Sequence, residues 1–359
     1  MSTLSVRSMR TMRAIRLQRP AISFVLRPRT AIVGGLLALA VCAAVVASVS
    51  MGTYDIGFFG AAAALFGIGH PDGAYVVTQL RFPRTLVGAL VGAALGLSGA
   101  VFQSVARNAL ASPDVLGVTS GAGAAAVAGI TLGFTSTWSV TAMALVGGMS
   151  AAILVYLLAW RRGVRTGRLI VIGVGLGFAF HGLTSLLLVR ANLWEASRAM
   201  VWLTGSLNGR SWEHVLPIGL AVVVLTPVVL GLGRLLLVHQ LGDELARGLG
   251  LRLQTTRGLL IAGAVVLAAV ATAVAGPIGA IAGPIGFIAL MSPQVARQLT
   301  GGPGLPLFPS ACTGALLVVL ADLAGRTLFS PIELPVGVVV GAIGAPYFLW
   351  LLTRRTETT

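Results

Sequence analysis

An all-α, polytopic membrane protein is the fold class that this sequence predicts, and three observations predict it. Apolar residues make up 56% of the 359 and charged residues only 10%, with a mean hydropathy of +0.94. A soluble domain carries roughly 25% charged residues and needs them to stay dispersed. Uncharged stretches near the ~20 residues that cross a hydrocarbon core recur along the chain. Its 47 glycines suit helices that approach closely in lipid. A soluble enzyme and a disordered chain are both excluded.

The elements follow in order. Residues 1–30 form a polar, Arg-rich tail containing Arg7, Arg10, Arg13, Arg16, Arg19, Arg27 and Arg29. The run 31–51 is long enough to span and more spans follow, so it reads as an uncleaved first helix rather than a signal peptide. The second span is 85–106. Residues 115–160 carry no charge, enough for two spans that turn near 133–137. The fifth span is 169–189 and the sixth 215–233. The Pro/Gly-interrupted stretch 258–296 holds two more, and 307–321 and 334–353 complete ten. The expected division is a cytoplasmic tail 1–30, a ten-helix domain 31–353 and a short cytoplasmic tail 354–359.

The net charge of +15 does not indicate nucleic-acid binding. All 25 basic residues are Arg, and they lie between apolar runs rather than on one face. That pattern sets membrane topology. With ten spans both termini lie on one side. Placing them in the cytoplasm puts 19 Arg inside, and leaves Arg81, Arg84, Arg190, Arg198, Arg210 and Arg326 outside. The absence of Lys also excludes a phosphate-binding P-loop, which needs one. The chain is therefore not expected to hydrolyse ATP by itself.

Smaller features take structural readings. Cys42 and Cys312 lie in apolar runs and are expected to be inert thiols. Gly88, Gly92 and Gly96 form overlapping GxxxG motifs, a close helix–helix face. His181 falls inside the fifth span and is expected to be neutral and bonded to a backbone carbonyl. Asp322 and Arg326 are spaced for an i,i+4 ion pair. Residues 192–207 read as a short amphipathic helix, a surface element or a lid. No metal site, cofactor or catalytic cluster is expected.

Three segments are more specific. The first is Arg81-Phe82-Pro83-Arg84-Thr85, followed by the glycine-rich second span through Gln103 and then Asn108-Ala109-Leu110-Ala111-Ser112-Pro113. The second is Leu241-Gly242-Asp243-Glu244-Leu245-Ala246-Arg247-Gly248, in the largest cytoplasmic loop. The third runs from Gly276-Pro277 through Gly283-Pro284 and Pro293-Gln294 to Asp322, Arg326 and Glu333-Leu334-Pro335. In this order they resemble the permease subunits of bacterial ABC importers for iron-siderophores and cobalamin. The resemblance covers about residues 31–353.

The resemblance implies a type II ABC importer permease fold. A second permease subunit pairs with the chain around a central path. Two cytoplasmic ATPase subunits sit below, and a periplasmic or lipid-anchored binding protein delivers cargo from outside. Leu241, Gly242, Asp243, Glu244, Leu245, Ala246, Arg247 and Gly248 would then form the helix that couples to the ATPase, with its acids in the first turn where the macrodipole favours them. Arg81, Arg84 and Arg326 would meet carboxylates of the binding protein. Asn108, Leu110, Thr166 and Gly167 match the cytoplasmic gate, where Ala109 replaces the usual Pro. The expected function is uptake of ferric siderophore across the bacterial inner membrane, with no covalent chemistry and no nucleic-acid partner.

Two further readings stay open. Cobalamin or haem fits the same architecture. An ion-coupled secondary transporter would need an intramembrane acid, and no Asp or Glu lies near a span centre. Gln294, where many relatives carry His, resembles a subset of these permeases that serves catecholate siderophores and pairs with a non-identical sister. The tandem GPIGAIA–GPIGFIA at 276–289 has one copy in the family pattern, and the extra seven residues would add about 10 Å of helix or a longer loop.

Overall fold

Side-chain size fixes how close two helices in lipid can come, and the second predicted span is built from the smallest. In the computed structural model this span is the central helix. The structure describes residues 13–17, 22–52, 57–65, 71–160, 166–240, 253–276, 287–302, 306–328 and 331–356, together with Leu245 and Gly248.

A β-hairpin in the tail, β1 (Arg13–Leu17) and β2 (Ile22–Leu26), pairs antiparallel with Arg13 opposite Leu26. The helices follow: α1 (Pro28–Ser50), α2 (Gly57–Leu65), α3 (Pro71–Tyr75), a π-helical turn Val76–Arg81, α4 (Phe82–Ala106), a 3-10 turn Pro113–Leu116, α5 (Val118–Thr131), α6 (Thr137–Ala159), α7 (Thr166–Arg190), α8 (Leu193–Thr204), α9 (Trp212–Gln240), α10 (Leu253–Ala275), α11 (Phe287–Thr300), α12 (Leu307–Thr327) and α13 (Val336–Thr356).

Ten of these occupy the ten expected spans: α1, α4, α5, α6, α7, α9, α10, α11, α12 and α13. Among the described residues seven contain a stretch long and apolar enough to cross a membrane. The other three are shorter or less apolar. α5 begins only at Val118, because the 3-10 turn and Gly117 (φ +70°) take up the residues before it. α11 has 14 residues. In α13 the apolar part is Val336–Tyr347. The hairpin and the short α2 and α3 were not anticipated, since their apolar runs are too brief to read as spans.

α4 packs against α9, α10, α11 and α12, and the span containing it is 83% buried. The cause is its glycine row. A Cβ at Gly92 would lie 2.6 Å from the Gly314 carbonyl carbon of α12, and one at Gly99 2.6 Å from the Ala289 carbonyl carbon of α11. Only hydrogen fits, so the backbones touch, which is how small residues drive association in lipid. The peripheral helices are the reverse. The α7 span is 17% buried and the α9 span 11%, with Val171, Phe178, Leu216 and Leu220 exposed. Such surfaces face lipid or another membrane subunit.

α8 is the amphipathic segment expected at 192–207. Asn192 accepts from the Glu195 N–H (2.9 Å) while Glu195 accepts from the Asn192 N–H (3.2 Å), a reciprocal cap.

Candidate functional site

α4 is 25 residues long, about 37 Å at 1.5 Å per residue, so Arg84 and Asn108 mark opposite ends of the bundle. At the Arg84 end the three expected arginines come together, but each is engaged within the chain. Arg81 is buried and donates through Nη1 to the Val49 and Ser50 carbonyls (3.1 and 3.3 Å). Those are the last carbonyls of α1, which lack helical donors, and a cation there is favoured by the helix dipole. Arg84 donates through Nε and Nη2 to Asp322 Oδ1 (3.1 and 2.9 Å) and through Nη1 to Glu333 Oε2 (3.0 Å). Arg326 donates to the Ser48 carbonyl (3.1 Å) and Oγ (2.7 Å). Its Nε also lies 3.1 Å from Asp322 Oδ2, the expected i,i+4 contact, though without hydrogen-bond alignment.

Asp322, 3% exposed, therefore joins two guanidinium groups. Burial of these charges is tolerable because each has an opposite charge or a carbonyl. The three arginines expected to meet the binding protein thus already have partners within the chain. Arg81 and Arg326 are committed to neighbouring helix ends, and Arg84 is 12% exposed beside Glu333 at 44%.

A recess of about 630 Å³ opens beside this cluster. Arg84 and Glu333 line one side, Arg198 and Trp202 of α8 another, and Asn208 and Arg210 of the α8–α9 loop a third.

At the opposite end α4 stops at Arg107, which adopts the left-handed conformation (φ 52°). The Asn108 side chain accepts from the Leu110 N–H (3.0 Å), an Asx-type turn. α7 starts near this turn. Leu169 and Ile170 line a small apolar cavity of about 40 Å³ together with Ala111 and Ser112. Gly167 is exposed, with open space around its Cα. Of Thr166, only its backbone position at the α7 start is described. The structure thus brings the Asn108–Leu110 turn and the start of α7 to one end of the molecule.

Sequence reasoning missed the buried amides beneath this turn. Gln294, 1% exposed, donates to Gln103 Oε1 and lies 3.5 Å from the Ala109 carbonyl. Gln103 in turn donates to the Leu290 carbonyl (3.0 Å). Gln294 therefore ties α11 to α4 and does not itself form a face toward a second subunit. A Gln in each of two apolar helices was the available signal, because a buried amide needs a partner.

The coupling segment 241–248 lies outside the described residues except for Leu245, which is exposed, and Gly248. The tandem segment lies outside them over 277–286. His181 is exposed on α7, and among the described residues no hydrogen bond reaches its ring, so the expected carbonyl partner is not found. Cys42 is exposed and Cys312 half-buried.

Comparison with known proteins accounts for this architecture. A family model described as the FecCD transport family matches residues 36–354. The achromobactin transport system permease protein CbrC of Dickeya dadantii is 40% identical over 89% of this chain and 90% of its own. The ferric enterobactin transport system permease protein FepG of Escherichia coli is 39% identical over 82% and 87%. A solved structure, titled an inward-facing conformation of a putative metal-chelate type ABC transporter, superposes with a TM-score of 0.79 at 29% identity. It covers 90% of this chain and 99% of that one. By this match over most of its length, the chain belongs to the FecCD transport family.

Proposed function

We propose that this protein is the permease subunit of a binding-protein-dependent ABC importer that carries ferric siderophore into the cytoplasm. The observation that carries the reading is the match over residues 36–354 to a permease family, with relatives at about 40% identity named for achromobactin and ferric enterobactin. The chain is a multi-pass membrane transport subunit rather than an enzyme. ATP is hydrolysed by a partner, since no Lys is present for a phosphate-binding loop.

Both termini lie in the cytoplasm, as the Arg asymmetry favours. Leu241–Gly248 docks into the ATPase and transmits its closure. The Asn108–Leu110 turn and Thr166–Gly167 gate the cytoplasmic mouth. The binding protein docks on the opposite end, where Arg84 can exchange Glu333 for an incoming carboxylate while Arg81 and Arg326 hold the helix ends beneath it. Such rim charges steer encounter and fix orientation. A second permease, a non-identical sister, completes the path. Docking and ATPase closure then bias one bundle between outward- and inward-facing states.

The test is uptake of radiolabelled iron chelates by the assembled importer in vesicles. The reading expects uptake that stops without ATP and survives an uncoupler. Uptake that instead collapses with the proton gradient overturns it. Replacing Glu244 and Leu245 by Arg is expected to release the ATPase from a still-folded permease.

A further inference from the structure

The recess beside Arg84 holds more positive charge than the described residues around it neutralise. Arg84 is answered by Asp322 and Glu333. The other two arginines on its walls are not. Arg198 donates only to the Thr135 carbonyl (3.3 Å). Arg210 Nη1 lies 3.2 Å from His214 Nε2, on a ring whose Nδ1 accepts from the Ser211 N–H (3.3 Å), and the Arg210 Nε has no partner among the described residues. The acids nearest in sequence are already occupied. Glu195 turns back to cap α8, and Glu213 accepts from Trp138 Nε1 (3.0 Å). Among the described residues, then, Arg198 and Arg210 line this space unpaired with any carboxylate, and the one carboxylate on its wall, Glu333, is engaged by Arg84.

Burying an unneutralised cation is costly, and burial pushes the Arg210 guanidinium down to about 10, so it stays charged at neutral pH. A bound anion would recover that cost. The recess volume of about 630 Å³ lies within the roughly 300–1,000 Å³ of small-molecule sites. Its wall also carries Trp202, whose ring offers an apolar surface beside two planar guanidinium groups.

We propose that this recess is a receiving site for a multiply anionic ferric chelate, and that Arg198 and Arg210 select charged chelates over neutral ones. The inference rests on the siderophore reading above and deepens it. Three catecholates, each doubly charged, leave Fe(III) as a trianion. Three hydroxamates leave a neutral complex, and cobalamin brings no comparable charge. Guanidinium forks pair with paired anionic oxygens by charge-assisted hydrogen bonds, and a neutral chelate forgoes that gain. The recess therefore sorts the cargo classes that the sequence left open.

The experiment measures equilibrium binding of two probes to the assembled transporter in nanodiscs, without the binding protein. One probe is a radiolabelled ferric tricatecholate and the other a neutral ferric trihydroxamate. The tricatecholate is expected to bind saturably, to weaken with salt, and to lose about tenfold in affinity for each of Arg198→Gln and Arg210→Gln, a loss of about 1.4 kcal/mol apiece. Arg198 is exposed, so its variant keeps the test valid should Arg210→Gln fold poorly. Equal binding of the neutral chelate overturns the proposal, as does full affinity in the Arg198→Gln/Arg210→Gln double variant. If these variants slow only the association of the binding protein, the recess is a protein-docking surface and the proposal fails. Iron uptake by the unmodified importer is scored separately: uptake with unaltered probe binding in the variants sinks the recess alone, and absence of all iron-chelate uptake sinks the parent reading.

Discussion

Replacing Asp322 with Asn tests the charge cluster most directly, because one carboxylate there serves two guanidinium groups. The substitution keeps shape and volume and removes the negative charge. Arg84 retains Glu333, which is largely solvated, and Arg326 retains the Ser48 oxygens. Removing one partner of a buried ion pair typically costs about 3–5 kcal/mol. The Asn carbonyl oxygen can still accept from Arg84, so the low end applies, about 3 kcal/mol or more than a hundredfold in the unfolding equilibrium. The assay is unfolding of the purified permease by SDS in mixed micelles, followed by tryptophan fluorescence. Adding Arg326→Met to Asp322→Asn removes one of the two stranded cations. A double-mutant cycle should therefore show at least about 1 kcal/mol of favourable coupling. A single variant within about 0.5 kcal/mol of the parent, or strictly additive losses, would refute the account, since surface ion pairs behave that way.

Four other outcomes follow from the packing. Gln294→Leu strands Gln103 Oε1 in the core and should cost about 1–3 kcal/mol, whereas Gln103→Leu/Gln294→Leu should cost less than the single change; the same SDS titration decides. Gly92→Leu drives a side chain into the Gly314 backbone and should cost about 3 kcal/mol or more. Gly341→Ala, with nothing within 4 Å, should be neutral or stabilise by about 0.5–1 kcal/mol. Asn192→Ala breaks the reciprocal cap of α8 and should increase amide exchange over 193–196, a loss of about 1 kcal/mol in local stability.

Long uncharged runs made the bundle legible before any coordinates. Residues 115–160 were expected to turn near 133–137, and the turn lies between Thr131 and Thr137. Asp322 and Arg326 were found because their spacing is local. The partners that were missed are all distant in sequence. Arg84 meets Asp322 from 238 residues away and Gln103 meets Gln294 from 191. A sequence shows that a buried charge or amide must find a partner, but which one depends on how helices are placed, and periodicity does not record that. Arg81 illustrates the same limit. Its position before α4 was plain, yet its acceptors are backbone carbonyls of α1, which no side-chain pattern advertises.

The absence of Lys acquires a physical sense once those acceptors are known. Arg81 spans two carbonyls at the end of α1, and Arg29 donates through Nε and Nη2 to the Leu299 carbonyl near the end of α11 (3.2 and 3.1 Å). Arg326 takes both oxygens of Ser48, and Arg84 reaches Asp322 and Glu333 with separate edges of one plane. In each case the acceptors are fixed by helix positions, and the cation either meets two acceptor atoms at once or, for Arg29, gives two N–H groups to one oxygen. An ammonium has three donors on a flexible stem and is more strongly hydrated, so it would lose more on entering such a place. A guanidinium presents five donors in a rigid fork and is more weakly hydrated. Helices held this way are joined at their ends by groups that tolerate partial burial, while the middles of α4 and α12 are joined by glycine contact. The same chemistry that ties Arg84 inward leaves Arg198 and Arg210 as forks with vacant edges, so the residue type that secures the bundle also equips its mouth for an anion.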